Sequence, residues 1–537
     1  MLNWYNKSLN DFTGNFYLFA AVNQEDLPYF HAQLLLQKMA QDFPPELKDK
    51  AYVAGGAVRD ELLGNIPKDI DIVVEYPQGG IVLAQYIAET LDLRPPVIFP
   101  TFGTAQLLLK EVVYKGNLYK VEGVQLEFVQ TRKEQYHEES RKPETSFGTL
   151  KEDTERRDFT VNSLLKKLTS GPSLNAEDAH AKVKSGDILD LTGKGIRDMK
   201  DGIIRTPLDP DIIFKEDALR MMRAVRFSIK YGWKMTPEVV EGIKNNIYRL
   251  NTISNERIKD ELDKIIGYKK LHLAIPVMKD LGLLGAVLPE MEALAGIEQG
   301  KKWHSEGDAY VHSLLVIENV EKQNSDASPE LIWAALAHDW GKKAAKVSSE
   351  ENGNLHFYGH EDVSAELVEQ RMRELKYPVE IIKKVRRLVS VHMRPHGAED
   401  WGNTAFRRYF KDMGEDYEDA LKLLRADESA ALNEDGSHTD HFNLIKKRVP
   451  EVMSKPIPNK PPLGGLEVID LLRPYKPEWV KDSGPHIGMI NKLQHELLIM
   501  NSDIVDDDPE VTKENLKNAL LQSPEFERIL KLLKWKE

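Results

Sequence analysis

The sequence predicts an α+β fold, with a sheet-bearing N-terminal domain followed by blocks that are helical throughout. Three observations lead there. The chain has 537 residues, too many for one hydrophobic core, so roughly two to four domains are expected. Between Ala51 and about Lys167, short β-rich runs (AYVAG, IDIVVEY, AQLLLKEVVY, QLEFVQTR) alternate with helical stretches. From about Phe214 the periodicity becomes that of amphipathic helices, first in FKEDALRMMRAVRFSIKYGW and then in NERIKDELDKIIGY.

Composition sets the class. With 41% hydrophobic and 30% charged residues, the chain reads as ordinary globular material, and no run approaches the roughly 18 apolar residues that span a bilayer. The N-terminal stretch lacks the basic start, apolar run and cleavage site of a secretory signal, so a cytoplasmic location is expected, with no membrane partner. The absence of cysteine excludes disulfides, zinc–cysteine sites and thiol nucleophiles, leaving His, Asp and Glu to hold any metal. The net charge of −13 argues mildly against binding to nucleic acid. Charge is unevenly spread, however. Acidic residues gather at Asp503, Asp506, Asp507 and Asp508, whereas residues 194–230 hold nine Lys or Arg against six Asp or Glu, enough for a local basic face.

In chain order, residues 1–48 form an extension closed by the Phe43-Pro44-Pro45 break. Residues 49–175 form the α/β-patterned domain and residues 176–300 a helical block. Residues 301–432 form a second helical block, rich in histidine, and residues 433–537 a tail that contains the loop KPIPNKPPLGG and ends in charged helices. There is no fixed-period repeat.

The segment AYVAGGAVRDELLGNIPKDIDIVV carries the most chemistry. Alternate residues of a strand share a face, so Asp69 and Asp71 are expected to project together while Ile70 and Ile72 enter the core. Paired carboxylates are hard oxygen ligands of the kind magnesium takes. Two such ions activate an attacking hydroxyl and stabilise both oxygens of an in-line phosphoryl displacement. Glu127, in the alternating run QLEFVQTR, is a candidate third carboxylate from a neighbouring strand. Gly55 and Gly56 open a helix whose free N–H groups suit a triphosphate, and Arg59 and Lys68 are candidates for further phosphate contacts. An isolated Asp-x-Asp is usually a solvated strand edge; the double glycine and the basic residue beside this one favour catalysis.

GGAVRDELLG and KDIDIVV, then ERRDFTVNSLL at 155–165, then IRTPLDPDIIFKEDALRMMRAVRFSIKYGW at 204–233 resemble, in order, the motifs of the class II tRNA nucleotidyltransferase and bacterial poly(A) polymerase family. The resemblance runs over residues 50–290. It implies a DNA polymerase β-like head followed by helical neck, body and tail, with catalytic metals on Asp69 and Asp71. It also implies that Arg157, Asp158 and Asn162 surround the ribose and phosphates of an incoming nucleotide. Ser163 stands where the family usually has alanine.

In EDALR, Asp217 and Arg220 are three residues apart, the spacing of neighbours on one helix face. Cytosine and adenine both present an amino donor beside a ring-nitrogen acceptor, whereas uracil and guanine present the reverse. An acidic acceptor with an Arg donor therefore fits C and A, at about 1–3 kcal/mol of discrimination per good pairing. The same spacing also describes an ordinary surface ion pair; the flanking family motif favours base reading. Arg223 and Arg226 continue a basic stripe suited to phosphates or to a solvated face.

The second helical block holds His312, the pair His338-Asp339, His360, His392 and Asp427. Imidazoles with carboxylates suit transition metals better than calcium. YVHSLLVIENV, LIWAALAHDWGKK, GHEDVSAELV, VSVHM and LLRADESA resemble the HD phosphohydrolase superfamily over residues 308–430. That resemblance implies one metal on His312, His338, Asp339 and Asp427, support for a second from His360 and His392, and a phosphate contact from Lys342. The expected cofactors are Mg²⁺ in the head and Ni²⁺, Co²⁺ or Mn²⁺ in the HD domain.

The expected function is addition of CCA to the tRNA 3′ end from CTP and ATP by a monomer or homodimer, with a phosphatase or 2′,3′-cyclic phosphodiesterase activity in the HD block. Poly(A) or A-only addition is the nearest alternative. A hydrolase whose head serves only as an RNA-binding platform is the alternative of another class.

Overall fold

The computed structural model describes residues 23–135, 144–172, 176–300, 304–349, 355–433, 435–453, 460–475, 484–501, 504–505 and 508–534. The start of the N-terminal extension and Asp503, Asp506 and Asp507 of the acidic cluster lie outside them. The chain divides into two units, Met1–Glu261 with Val277–Ala286, and Leu262–Pro276 with Val287–Glu537.

The first unit is built on a mixed seven-stranded sheet. Its strands are β1 (Ala51–Ala54), β2 (Ile70–Val74), β3 (Val97–Phe99), β4 (Thr104–Leu108), β5 (Gln125–Gln130), β6 (Leu165–Lys167) and β7 (Ile188–Leu189), in the spatial order β7-β6-β1-β2-β5-β4-β3. Only β2 and β5 run parallel; the other pairings are antiparallel. The alternation in IDIVV does what strand geometry requires, burying Ile70 and Ile72 and leaving Asp71 half-exposed between them. The helix Gly79–Thr90 covers one face through Leu83, Ala84 and Ile87. It comes so close that a Cβ on Gly80 would lie 2.7 Å from the Gly103 carbonyl oxygen, a contact only glycine avoids.

Helices Pro210–Glu216, α2 (Leu219–Tyr231) and Pro237–Asn246 follow, α1 being the short helix Gly56–Leu62 behind β1. Met221, Met222, Val225 and Phe227 of α2 are buried, the apolar stripe that the periodicity of RMMRAVRFSIKY predicts.

The second unit is mostly helical. Its centre consists of α3 (Ala309–Gln323), α4 (Pro329–Ala337), α5 (His360–Glu374), α6 (Val379–Val391) and α7 (Tyr417–Ala430). Side-chain caps set the starts of the first two: Asp308 accepts from the Val311 N–H, and Ser328, with Pro329 at the first helical position, accepts from the Leu331 N–H. The block is not wholly helical, because Lys346–Ser349 and Leu355–Tyr358 pair as an antiparallel ribbon. The tail has its own core of Leu463, Val468, Ile490, Leu498, Leu516 and Phe526. Among the described residues, no helix is long and apolar enough to cross a membrane.

Candidate functional site

In the first unit, Asp71 on β2 lies directly opposite Glu127 on β5 in the parallel register. Asp69 sits one residue ahead of the paired strand and is exposed. The three carboxylates feel one another. Burial, and then the charge of Asp69, raise the pKa of Asp71, while Arg157 opposes them. Burial, then Asp71 and Asp69, raise that of Glu127, against Arg132. Among the described residues their oxygens do not gather within 4.8 Å as a threesome, so this is an open arrangement of negative charge.

Arg157 reaches this cluster because Gly55 makes room. Gly55 has a φ of +69°, and a Cβ there would sit 2.7 Å from Arg157 Nη1. The helix behind it, α1, has only seven residues, so its dipole is a modest source of positive potential. Arg157 is held by Asp153 Oδ2 at 3.2 Å and by the Asn162 carbonyl at 3.4 Å.

The remaining head residues form one connected network. Asp158 accepts from Asn162 Nδ2 at 2.9 Å on one oxygen and from Arg223 Nε and Nη2 at 2.8 and 2.6 Å on the other. Burial alone would raise its pKa, but Arg223 and the hydrogen bond from Asn162 hold it down at about 2. Asn162 Oδ1 accepts from Arg59, whose guanidinium also binds Asp60 and lies over the rings of Phe227 and Tyr231. Arg59 is therefore buried and internally paired, unlike the open phosphate contact expected. Lys68 is exposed and 3.3 Å from Asp26. Arg226 is also corrected: it is neither a solvated face nor an open phosphate contact, but buried against Glu261 and the Phe227 ring. Ser163 causes no disturbance, because its hydroxyl donates to the Phe159 and Thr154 carbonyls.

The helix-face reading of Asp217 and Arg220 is corrected as well. Asp217 is extended (φ −147°, ψ 103°) at the break between helix Pro210–Glu216 and α2. Its Oδ1 accepts from the Leu219 N–H at 3.1 Å, and Oδ2 from Arg257 at 2.8 Å. Arg220 turns the other way, donating to Glu216 at 2.9 Å and to the Ile213 carbonyl at 3.1 Å. The two are joined only through the backbone, where Arg220 N–H donates to the Asp217 carbonyl.

In the second unit the predicted ligands converge. His312, His338, Asp339, His360, His392 and Asp427 are all buried, and two groups, His312 with His338 and Asp339, and Asp339 with His360 and His392, bring ligand atoms within 4.8 Å of one another. His338, His360 and His392 each turn Nδ1 to the main-chain carbonyl three residues earlier (Ala335, Phe357 and Val389) at 2.9, 2.7 and 2.7 Å. A carbonyl only accepts, so each Nδ1 carries a proton and each Nε2 is left facing inward. His338 Nε2 is buried and faces Asp339 Oδ2 at 3.2 Å.

His312 differs. It lies between carboxylates, with Nδ1 2.8 Å from Glu306 Oε1 and Nε2 2.9 Å from Asp427 Oδ1. Burial pulls its pKa down, but these carboxylates outweigh it and raise it to about 9. Lys342 is buried, 2.7 Å from Asp339 Oδ2 and hydrogen-bonded to Gln299, so it is already engaged within the protein.

Sequence reading missed His304, Glu306 and His396. Glu306 accepts from His304 Nδ1 at 2.8 Å as well as meeting His312. His396 Nε2 lies 3.1 Å from Asp427 Oδ2. The only signal was proximity in sequence, Glu306 six residues before His312 and His396 four after His392.

Residues 51–205 match the poly(A) polymerase head domain, residues 232–294 the probable RNA- and SrmB-binding site of polymerase A, and residues 309–432 the HD domain. The CC-adding tRNA nucleotidyltransferase of Thermus thermophilus is 27% identical over 452 residues, covering 83% of this chain and 89% of that protein. The A-adding tRNA nucleotidyltransferase of Deinococcus radiodurans is 30% identical over 331 residues, covering 60% of this chain and 71% of the relative. The crystal structure of the Bacillus stearothermophilus CCA-adding enzyme in complex with CTP shares the fold, with a TM-score of 0.57 at 22% identity over 91% of this chain and 97% of that one. Taken with the ordered motifs of its head, these matches establish that the chain belongs to the tRNA nucleotidyltransferase and poly(A) polymerase family and carries an HD domain behind the family's head and RNA-binding regions.

Proposed function

We propose that the chain adds C, C and A to the 3′ end of tRNA from CTP and ATP, and that its HD domain hydrolyses a phosphomonoester or cyclic phosphodiester. The observation that carries the first reading is the placement of Asp71 opposite Glu127, with Asp69 beside them and Arg157 facing Asp71. Carboxylates whose charge is disfavoured by burial and by one another fit a divalent cation. Magnesium held on Asp69 and Asp71, with Glu127 in support, supplies activation of the terminal ribose hydroxyl and charge stabilisation at the α-phosphate.

The chain's own groups bind and select. Arg157 carries positive charge to the place where phosphates approach the carboxylates. Asp158, Asn162, Arg59 and Arg223 form a pre-organised wall for the nucleotide, fixed by their mutual hydrogen bonds; Gly55 and Gly56 keep that wall free of side chains. Asp217 supplies the acceptor and Arg220 the donor that favour C and A over U and G, with Arg226 bracing α2.

In the HD domain, His312, His338, Asp339 and Asp427 would hold one transition ion, and His360 and His392 with Asp339 a second, because these imidazoles and carboxylates converge while buried. Bound Ni²⁺, Co²⁺ or Mn²⁺ supplies Lewis acidity and makes water a better nucleophile. Lys342, at the cavity wall, helps to receive the phosphate by exchanging Gln299 for a phosphoryl oxygen. The functional division follows as extension 1–48, head 49–175, neck and body 176–300, HD domain 301–432 and tail 433–537, acting in the cytoplasm as a monomer or homodimer.

The experiment is incubation of tRNA lacking its 3′ terminus with each labelled nucleotide separately and then with CTP and ATP together. Full CCA addition from the pair supports the reading. C-only or A-only incorporation would instead align the chain with the Thermus or Deinococcus type of relative, and long A tracts with poly(A) polymerase.

A further inference from the structure

The cavity that contains the HD constellation has a volume of about 630 Å³ and extends past Asp427 to a further set of ligand side chains, with His396, Glu399 and His441 on its wall. We infer that His396, Glu428 and His441, completed by Glu399, form a separate site for a divalent ion of the zinc, cobalt or nickel class, linked to the HD centre through Asp427.

One ligand atom from each of His396, Glu428 and His441 lies within 4.8 Å of the other two. Donors sharing a tetrahedral ion at about 2.0–2.2 Å stand roughly 3.3–3.6 Å apart, so the side chains close on an ion by small rotations. His441 meets a carboxylate on both ring nitrogens, Glu428 Oε1 2.7 Å from Nδ1 and Glu399 Oε2 2.6 Å from Nε2. The rings of His396 and His441 are 5.9 Å apart at 70°. Asp427 joins the two centres, its Oδ1 turned to His312 and its Oδ2 to His396. Two imidazoles with two carboxylates suit a borderline transition ion better than calcium or magnesium.

The competing account is purely structural. Glu428 accepts from the His441 and Phe442 N–H groups at 2.8 and 3.0 Å at the start of helix His441–Met453, and the Glu399–His441 pair is then a surface ion pair. In that account His396 is only a partner of Asp427, and the edge-on approach of its ring to His441 has no purpose. It also leaves one lone pair on Glu428 Oε2 free for a cation.

The test uses the full-length chain carrying Asp69→Asn and Asp71→Asn, so that the head contributes no ion. Each variant in that background is equilibrated with excess Zn²⁺, freed of unbound metal by gel filtration, and its zinc per chain measured by mass spectrometry. The His338→Ala, Asp339→Ala double variant is expected to retain about one zinc. Glu399→Gln and His441→Gln are each expected to remove about one equivalent from the count of the parent chain. Glu399 is 55% exposed, so its substitution leaves folding intact and decides the matter even where His441→Gln does not fold. In Co²⁺-loaded protein, Glu399→Gln should also change the visible absorption while the bands of the HD-bound ions persist. An unchanged zinc count in Glu399→Gln, or no zinc in the HD double variant, would overturn the assignment and leave a helix cap with a surface ion pair.

Discussion

The Nε2 atoms of His360 and His392 face each other at 3.3 Å, each ring having committed its Nδ1 to a main-chain carbonyl. Asp339 Oδ1 stands 3.2 and 3.9 Å from the same two atoms. Imidazole nitrogens and a carboxylate gathered in this way in a buried pocket suit a transition-metal cation between them. The pKa of His392 is pushed well down by burial and then by the neighbouring His360 and His338. Ni²⁺ or Mn²⁺ should therefore bind the folded chain and stabilise it, by about 2.7 kcal/mol at a hundredfold excess over Kd. Scanning calorimetry should show a higher Tm with either metal, a lower one with EDTA, and a smaller response in the His338→Ala, Asp339→Ala variant, where only the cation sites outside the HD centre remain.

Glu306 orients His312 from behind, with Oε1 on Nδ1 and Oε2 taking the Leu432 N–H at 3.0 Å. Its carboxyl is held well below the usual range despite burial, because His304 and His312 both bond to it. A carboxylate behind a ligating imidazole fixes the ring and makes it a better donor to the metal. Glu306→Gln should weaken metal affinity about 10–100-fold and lower phosphoesterase activity at limiting metal, with recovery at saturating metal. A titration superimposable on wild type would mean that His312 needs no such support.

How far the sequence could be read follows from what kind of contact each residue makes. Asp71 and its buried neighbours were legible because strand alternation is local. Glu127 could be suggested but not placed, since the β2–β5 register depends on distant residues. EDALR was misread because no glycine or proline marks the break at Asp217; the turn comes from Asp217 capping α2 with its own side chain. The ribbon at 346–358 was missed although Asn352-Gly353 between its strands is a hairpin signal. Glu306 and His396 act through partners more than thirty residues away or in another element, which no spacing rule reveals.

In the head, Asp69→Asn or Asp71→Asn should abolish nucleotide addition while tRNA binding persists, because the carboxylates hold metal and not RNA. Asp71→Asn should leave the melting temperature unchanged or slightly raised, since burial and Asp69 already disfavour the charge it removes. Addition assays beside gel-shift titrations separate the two effects. Wild-type turnover in either variant would end the two-metal assignment.

The Asp158–Arg223 pair gives the head a defined acid sensitivity. The folded pKa of Asp158 is about 2, below its ordinary 3.8, so this group's contribution to stability is fully present above that ordinary value and is lost as pH falls from about 4 towards 2. The shift corresponds to about 2 kcal/mol. Asp158→Asn should remove this part of the acid slope and cost more than that at neutral pH, because Arg223 then loses its bidentate partner. Urea unfolding at pH 3 and pH 7 measures both effects, and an equal loss at the two pH values would contradict the linkage.

Base selection is the last test, and the structure sharpens it. Asp217 is held by Arg257 and Arg220 by Glu216, so both members of the reading pair must exchange an internal partner for the base edge. Removing the acceptor with Asp217→Ala should relax discrimination between CTP or ATP and UTP or GTP by about 10–100-fold, the size of one to two polar contacts. The same change removes the oxygen that caps α2, at about 0.5–2 kcal/mol, so lost activity alone would not be diagnostic. Asp217→Asn keeps a capping oxygen but replaces half of the acceptor edge with a donor. It should therefore stay folded while its selectivity shifts towards bases that offer a carbonyl. Arg257→Ala, which frees Asp217 without altering it, should lower KM for CTP and ATP and leave selectivity in place. If both Asp217 variants kept wild-type selectivity in competition assays with the four nucleotides, the reading of the base would have to be assigned to other residues.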